Sequence, residues 1–275
     1  MSEDVNEYRA DLLDDMDEDA PVNRLNNSHP DGADTIVSPR AVRERPGRLT
    51  TEGKITLHTR QAHKLFYGRR ADKVKKIFPV VGLVRFASNV GSIWAASEAD
   101  DPYADLALLD IEHEFEDAEK VLAQYAKTMD DLLANDVDGI NVSVMHSAKP
   151  VILDLQFFSP WSYQGARLLA KYDKLVLKCL TAKHVGLMFD EDWERVVVRS
   201  GTRIRAMFQR SQFWRATGVT RNDIAANNKV AKRAEEIYAK HLQQMLVMPD
   251  DVLRGEKRAR MAPKVKLEQP LEQLA

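Results

Sequence analysis

The segment KPVILDLQFFSPWSYQGARLLAKYDKLVLKCLTAKHVG, residues 149–186, decides most of the predicted fold. Residues Val151 to Phe158 alternate between two faces, one of them entirely apolar, and this two-residue period predicts a β-strand. Ser159 and Pro160 then predict the start of a helix, because serine caps free helix amides and proline is tolerated at the first helical position. The predicted helix ends near His184.

This predicted helix carries an apolar stripe and a basic row. The apolar residues recur at spacings of three and four, which is typical of a face that packs on a core: Trp161, Gly165, Leu168, Leu169, Tyr172, Val176, Cys179 and Leu180. The basic residues have the same spacing on another face: Arg167, Lys171, Lys174 and Lys178. The basic row is either a solvated helix face or a surface that meets phosphates.

The length of 275 residues suffices for one large domain or two small ones with real cores. No apolar run approaches the roughly 20 residues that span a bilayer, and the N-terminal segment is acidic instead of resembling a signal segment. These features predict a cytoplasmic protein that has no membrane partner. The single cysteine, Cys179, lies on the apolar stripe, which predicts a buried and unreactive thiol.

Charge is distributed unevenly along the chain. Residues 1–35 contain eleven acids and two arginines, a balance of −9, so the rest must carry +7 to give the net charge of −2. Residues 1–48 also lack any sustained period, and we expect them to form a disordered acidic arm. A basic body with an acidic arm is common in proteins that meet nucleic acid, although the arm could also be a solubilising segment.

A second candidate strand opens the ordered part of the chain. Its polar residues Lys54, Thr56, His58 and Arg60 alternate with Ile55, Leu57 and Thr59. A short helix over Gln61 to Tyr67 follows, then Arg69 and Arg70, and another helix is predicted over Val80 to Ala96.

The longest predicted helix begins at Asp101 and Pro102 and contains a heptad seam. The seam residues step by three and four: Leu108, Ile111, Phe115, Ala118, Leu122, Tyr125, Met129 and Leu132. The seam could pack within the chain or against another chain. After it, alternation over Ile140 to Val144 predicts a strand that forms a hairpin with the Val151 strand, and Ile55 to Arg60 could complete a three-stranded sheet.

The C-terminal third is rich in arginine. Asp190 is predicted to cap a helix, and the stretch from Arg195 to Arg221 then contains no acid and seven arginines: Arg195, Arg199, Arg203, Arg205, Arg210, Arg215 and Arg221. Thr220 and Asp223 resemble a capping box for a last helix that runs to about Leu246. The predicted organisation is an arm over residues 1–48, one helical domain with a β-ribbon over 49–248, and a flexible basic tail over 249–275.

No catalytic motif stands out, and neither a cofactor nor an enzymatic activity is predicted. The nearest metal-site candidate is the group Asp110, His113, Glu114 and Asp117, which lacks the second copy that a two-iron helix site requires. A two-stranded ribbon fits the major groove of B-DNA, where alternate side chains reach base edges. Lys54, Thr56, His58 and Arg60 have that arrangement. The competing assignment uses Ile152, Asp154 and Gln156 as the ribbon, with Arg203 and Arg205 on the DNA backbone.

Several segments, in the same order over about residues 53–263, resemble the AcaB-like proteins of conjugative plasmids and integrating conjugative elements. They are ITLHTRQAHKLFYGRR, IWAASEADDPYADLALLDIEHEFEDA, FFSPWSYQGARLLAKYDKLVLKCLTAKHVGL, GVTRNDI and MPDDVLRGEKRA. The resemblance implies a homodimeric, ribbon-helix-helix-like regulator of conjugation genes, typically an activator. Such a dimer pairs one strand from each subunit and inserts that ribbon into the major groove of a promoter.

Together these observations predict a predominantly helical α+β fold with a small antiparallel sheet and a double-stranded DNA partner. Lys54, Thr56, His58 and Arg60 are the predicted base contacts, and Arg69 and Arg70 the predicted phosphate contacts. The acidic arm could compete with DNA for the basic body or meet RNA polymerase. The alternative function is a non-catalytic scaffold of the conjugation machinery that associates through its heptad helix.

Overall fold

The chain is predominantly helical, and its described residues form two small antiparallel sheets. The structure is a computed structural model that describes residues 53–71, 78–134, 142–242 and 246–266. Its elements are, in order, β1 Gly53–Leu57, α1 Arg60–Tyr67, β2 Gly68–Arg69, β3 Val80–Val81, α2 Leu83–Glu98, α3 Pro102–Ala134, β4 Val151–Leu155, α4 Pro160–His184, α5 Asp190–Arg210, α6 Arg221–Ala225, α7 Lys229–Leu242 and α8 Asp250–Leu253. The predicted arm, residues 1–48, lies outside the described residues.

Helix α4 forms where its sequence predicts, at the centre of the molecule. The Ser159 hydroxyl accepts a hydrogen bond from the Ser162 amide at 3.2 Å, and Pro160 occupies the first helical position. The predicted apolar stripe is buried against α2, α3 and α5, with Trp161 and Leu169 almost fully enclosed. Burying a large apolar side chain stabilises a fold by about 1.5–3 kcal/mol, so this stripe organises the core.

Helix α3 is the longest element, and its heptad seam packs within the chain. The Asp101 carboxylate caps it by accepting hydrogen bonds from the amides of Tyr103 at 2.8 Å and Ala104 at 3.3 Å. Five seam residues are buried and three are partly buried against the same core, which α4 and α5 complete. The seam is therefore an intramolecular packing surface.

Half of the basic row on α4 binds acids of α3. Lys171 forms an ion pair with Glu119, and Lys178 lies 2.5 Å from a carboxylate oxygen of Asp130. Arg167 is exposed and donates a hydrogen bond to the neighbouring Gln164. The row therefore joins two helices at Lys171 and Lys178, and the sequence pattern alone did not distinguish this from a solvated or phosphate-binding face.

The main sheet is an antiparallel pair of β1 and β4, and the predicted hairpin is wrong. In its register Lys54 lies opposite Asp154, and Thr56 lies opposite Ile152. Residues 142–150 contain no strand, whereas residues 140 and 141 of the predicted strand lie outside the described residues. The two candidate ribbon strands thus pair with each other, and both come from one chain.

Strand β3, which pairs with β2, occupies the predicted start of the helix after Pro79. Helix α2 consequently begins at Leu83 instead of Val80. Gly68 has a φ of 71°, and its neighbour Gly82 packs so closely that a Cβ there would lie 2.2 Å from the Gly68 nitrogen. Only glycine fits such an approach of two backbones, so this contact fixes the junction between α1 and α2.

The C-terminal third is divided more finely than predicted. Phe189, not Asp190, occupies the cap of α5, and the Thr220 capping box opens only the short helix α6. Asn227, with a φ of 47°, separates α6 from α7. None of the helices in the described ranges has an apolar stretch that could cross a membrane.

The segment 249–266, which the sequence assigns to a flexible tail, lies against α3. The fully buried carboxylate of Asp105 binds Arg258 Nε at 2.9 Å and Arg221 Nη2 at 2.6 Å, and it also accepts from the Ser97 hydroxyl. Arg260 pairs with Glu112 and Glu116 of α3, and Lys266 with Glu98 of α2. The remaining residues of the predicted tail, 267–275, lie outside the described ranges.

Candidate nucleic-acid interface

The β1–β4 ribbon has one buried face and one exposed face. Ile55, Leu57 and Leu155 point into the core, with exposed fractions of 5%, 2% and 5%. The opposite face is exposed and carries Lys54, Thr56, Ile152 and Asp154. Because side chains alternate along a strand, burial of the first set holds the second set in solvent.

Lys54 and Asp154 neutralise each other across the exposed face. The Lys54 ammonium lies 3.9 Å from a carboxylate oxygen of Asp154, and both side chains are largely exposed. Exposed pairs of this kind stabilise proteins by about 0–1 kcal/mol, so a ligand could separate them at little cost. The acid that would face DNA from β4 is therefore compensated by a cation of β1.

A buried carboxylate holds the end of β1 to α4. Asp173 is 2% exposed and accepts hydrogen bonds from the His58 amide at 2.8 Å, the Thr59 amide at 2.9 Å and the Thr59 hydroxyl at 2.6 Å. The same hydroxyl accepts from the Ala62 amide and so caps α1. Asp173 therefore fixes the ribbon relative to the helical core.

Two predicted base contacts lie beyond the strand. β1 ends at Leu57, and Arg60 is the first residue of α1 instead of a strand residue, because Thr59 begins the helix as its cap. Arg60 is exposed. His58 is half-buried, and its Nδ1 accepts a hydrogen bond from the Ser147 amide at 3.2 Å, so its ring helps to position the segment that leads into β4.

The remaining predicted contacts lie on other elements. Arg69, on β2, donates from Nε and Nη2 to the Phe78 carbonyl, each at 3.3 Å, whereas Arg70 directly follows the strand and is exposed. Arg203 and Arg205 lie on α5, where Arg203 is exposed and Arg205 Nη2 donates to the Thr202 hydroxyl at 2.9 Å. The structure thus places Lys54 and Thr56 on the ribbon and the five arginines outside it.

Asp173 and Ser147 were missed by the sequence analysis, and only Asp173 had a detectable signal. An acid four residues after Leu169 and three before Val176 falls on the buried stripe of α4. A buried carboxylate must find donors, so its position predicts a partner without identifying it. Ser147 has no such signal, since it acts through its backbone amide.

The metal-site candidate on α3 is occupied by ion pairs. Glu114 binds Arg210 Nη2 at 3.0 Å, and His113 lies 4.0 Å from Asp117. Within the described ranges, no group of three acids, histidines or cysteines could hold a metal ion. Burial also raises the pKa of the Cys179 thiol to about 12, so it is protonated at neutral pH.

Comparisons with known proteins agree with this architecture. The sequence model of the transcriptional regulator AcaB matches residues 45–266. A crystal structure of selenomethionine-containing AcaB from uropathogenic E. coli aligns with a TM-score of 0.50 at 12% identity, covering 78% of this chain and all of that chain. At that identity the likeness shows the shared fold. No curated protein matches the chain.

The family match covers β1, β4 and every helix described above, so it includes both the ribbon and the core that supports it. It therefore confirms the resemblance found in the sequence. The chain belongs to the AcaB family of transcriptional regulators.

Proposed function

We propose that this protein is a sequence-specific regulator that binds duplex DNA through the exposed face of the β1–β4 ribbon. The observation that carries the proposal is the ribbon itself, an antiparallel pair with one face buried in the core and a polar face in solvent. The B-DNA major groove is about 12 Å wide and admits such a ribbon. Membership in a family of transcriptional regulators supports this use of the ribbon.

The order of elements around the ribbon supports a ribbon-helix-helix-like core built within one chain. β1 is followed by α1 and α2, and β4 is followed by α4 and α5. The two strands are antiparallel, so two strand-helix-helix units face each other across the ribbon. The ribbon that the family resemblance attributes to two subunits is in this arrangement supplied by one.

A homodimer would then present two ribbons rather than complete one. Two ribbons could contact half-sites about 34 Å apart, one turn of the duplex. The proposed targets are promoters of conjugation genes, with activation as the outcome, in line with the sequence resemblance. Counting the chains bound to one promoter fragment by analytical ultracentrifugation tests the dimer: a saturated complex with a single chain would reject it.

The exposed residues have complementary roles in this proposal. Thr56 on β1 and Gln156, the exposed residue that directly follows the end of β4, offer hydrogen bonds to base edges, and Asp154 can accept from a cytosine amino group once Lys54 turns to a phosphate. Ile152 is 62% exposed and can contact a thymine methyl group. Each good base contact is worth about 1–3 kcal/mol of discrimination against a wrong base.

The arginines outside the strand are assigned to the DNA backbone. Arg60 and Arg70 are exposed, and Arg69, Arg203 and Arg205 are further candidates. Each phosphate contact releases counterions, so losing one should weaken binding to all sequences and lower the salt slope by about one. His58 stays a predicted base contact whose Nδ1 is already engaged.

Fluorescence polarisation with promoter fragments of the host element and a shuffled duplex tests both roles. Changing Thr56 and Gln156 together to alanine should reduce the affinity ratio between promoter and shuffled DNA by about tenfold or more. Arg60→Ala should weaken both affinities alike, and Arg233→Ala, an exposed arginine on α7, serves as the control. Binding that is absent at low salt, or a ratio unchanged by the ribbon double variant, would reject this function.

The acidic arm is proposed to compete with DNA for the basic body, since its charge alone suffices for that. Deleting residues 1–48 should tighten binding to shuffled DNA at low salt. An unchanged affinity for shuffled DNA would indicate that the arm is only a solubilising segment. Loss of RNA polymerase recruitment on deletion of the arm would favour a contact between the arm and the polymerase instead.

A further inference from the structure

A polar pocket lies where the end of α5 meets one face of α2, and no residue assigned to the ribbon lines it. Arg85, Asn89 and Ser92, spaced by four and three along α2, line one side. Ser211, Gln212 and Arg215, from the connection after α5, line the other. Its volume is about 250 Å³. This is below the roughly 300–1,000 Å³ of sites for drug-sized ligands, so the pocket suits a small group.

The pocket is positively charged. Two arginines line it from different elements, and no acid is among its lining residues. Arg85 is exposed, and within the described ranges its guanidinium has no hydrogen bond or ion pair. Arg215 uses Nη1 to bind the carbonyls of Gln212 at 2.7 Å and Trp214 at 2.9 Å, which fixes the guanidinium and leaves its other nitrogens for a ligand.

The wall between the two arginines is held by a chain of hydrogen bonds. Asn89 Nδ2 donates to the Ser211 hydroxyl at 3.1 Å, and that hydroxyl, 2% exposed, donates to the Phe208 carbonyl at 2.7 Å. Trp214, which also lines the pocket, donates its indole N–H to Asp101, and that carboxylate also accepts from the amides at the start of α3. The Ser211 hydroxyl donates its one proton to Phe208, so the donors left for a ligand are the second Nδ2 proton of Asn89 and the two guanidinium groups. Cationic donors around a cavity lined by no acid select an anion over a cation.

We propose that this pocket binds a phosphate group, with Arg85 and Arg215 as its cationic ligands. Guanidinium groups match phosphate oxygens in geometry, and two of them approaching from separate elements can hold one tetrahedral anion. The phosphate belongs either to the DNA backbone or to a small phosphorylated effector. Binding of a small phosphorylated effector does not depend on the proposed DNA-binding function, whereas binding of a DNA-backbone phosphate rests on it.

The first arm of the test uses the full-length protein without DNA. Isothermal titration with sodium pyrophosphate at constant ionic strength should show saturable binding if the phosphate is that of a small molecule. Arg85→Ala should weaken it at least about tenfold, since it removes a charge-assisted contact. Within the described ranges the Arg85 guanidinium makes no hydrogen bond or ion pair, so its loss should leave the melting temperature unchanged, which thermal unfolding of the variant checks; Arg233→Ala is the matched control.

The second arm measures the salt dependence of duplex affinity. If the pocket holds a backbone phosphate, Arg85→Ala lowers the slope of log affinity against log salt by about one, and Arg233→Ala does not. The proposal is overturned if Arg85→Ala changes neither pyrophosphate binding nor the salt slope. Absence of duplex binding by the unaltered protein would reject the proposed function, and the pyrophosphate arm alone would then decide the pocket.

Discussion

Replacing Asp173 by alanine should detach the ribbon from α4. The carboxylate is 2% exposed and accepts three hydrogen bonds of 2.6–2.9 Å from His58 and Thr59, at the junction of β1 and α1. Hydrogen bonds to a charged group contribute about 1.5–3 kcal/mol each, and a buried amide left without a partner costs about 1–3 kcal/mol. The half-buried His58 amide can regain water, whereas the buried Thr59 amide cannot.

These magnitudes predict that Asp173→Ala lowers the free energy of unfolding by about 3–5 kcal/mol, because contributions of neighbouring bonds do not add fully. Asp173→Asn keeps one acceptor oxygen and should cost less. Thr59→Ala loses one of the three bonds and the cap of α1 and, because neighbouring contributions do not add fully, should cost about 2–3 kcal/mol. Asp173→Ala is therefore expected to destabilise the protein more than either Asp173→Asn or Thr59→Ala.

Urea unfolding followed by far-UV circular dichroism measures these changes, with Asp131→Ala, an exposed acid on α3, as the control. The control should stay within about 0.5 kcal/mol of the unaltered protein. Asp173→Asn, which should still fold, is also expected to lose discrimination between promoter and shuffled DNA while its salt slope stays unchanged. A cost below about 1 kcal/mol for Asp173→Ala would refute the reasoning, because it would mean that the junction finds other partners.

Other perturbations give equally definite outcomes. Gly82→Ala places a Cβ 2.2 Å from the β2 backbone and should destabilise the protein by about 1–3 kcal/mol or more. A Cβ at Gly91, in the middle of α2, meets nothing within 4 Å, so Gly91→Ala should stabilise the protein by about 0.5–1 kcal/mol. Thermal unfolding of both variants checks these opposite signs. Arg258→Ala removes a partner of the buried Asp105 carboxylate on α3 and should lower the free energy of unfolding in urea by about 3–5 kcal/mol. An unchanged value would favour the flexible tail that the sequence predicts. Burial raises the pKa of Asp101 from 3.8 to about 6, so the folded state binds the proton more tightly than the unfolded state does. Titration of this carboxyl should therefore lower the free energy of unfolding by about 3 kcal/mol as pH rises from about 4 to 7. The stability of Asp101→Asn relative to the unaltered protein should therefore increase over that range, and a difference independent of pH would contradict the assignment.

The long helices were predictable because their determinants are local. The apolar stripe of α4 begins in the first turn after its cap at Ser159, and the seam of α3 begins about two turns after Asp101. Such signals need no knowledge of the partner surface. Thr59, like Asp173, was a local signal left unused. A cap residue at Thr59 ends the strand before Arg60, although the alternation of polar and apolar residues continues past it.

The pairing of strands was not predictable in this way. Residues opposite each other in β1 and β4 lie 94 to 102 positions apart in the chain, and alternation specifies which face is buried without specifying the partner strand. Neighbouring segments were therefore favoured, and the hairpin prediction followed. β2 and β3 have two residues each, which is too short for any period, and their position depends on the contact between Gly68 and Gly82.

Charge rows have the same limitation. The sequence gives the sign of Lys171 and Arg258 but not whether an acid of another element lies opposite. Lys171 meets Glu119, and Arg258 meets the buried Asp105. Cations that pair with acids of the same chain are not available to contact phosphates. Fewer cations are therefore available for phosphates than the net charge of +7 suggested.

The ribbon and the remaining cations are accordingly expected to divide the work of DNA recognition. The exposed face of the ribbon carries one cation and one anion at paired positions, Lys54 and Asp154, so it adds no net charge toward the duplex. In protein–DNA complexes phosphate contacts supply the salt-dependent affinity, and base contacts supply discrimination. A neutral ribbon suits discrimination, whereas Arg60 and Arg70, exposed beyond the ends of β1 and β2, suit the phosphates. This division requires that changes at Thr56 and Ile152 alter the affinity ratio but not the salt slope, and that changes at Arg60 and Arg70 do the reverse.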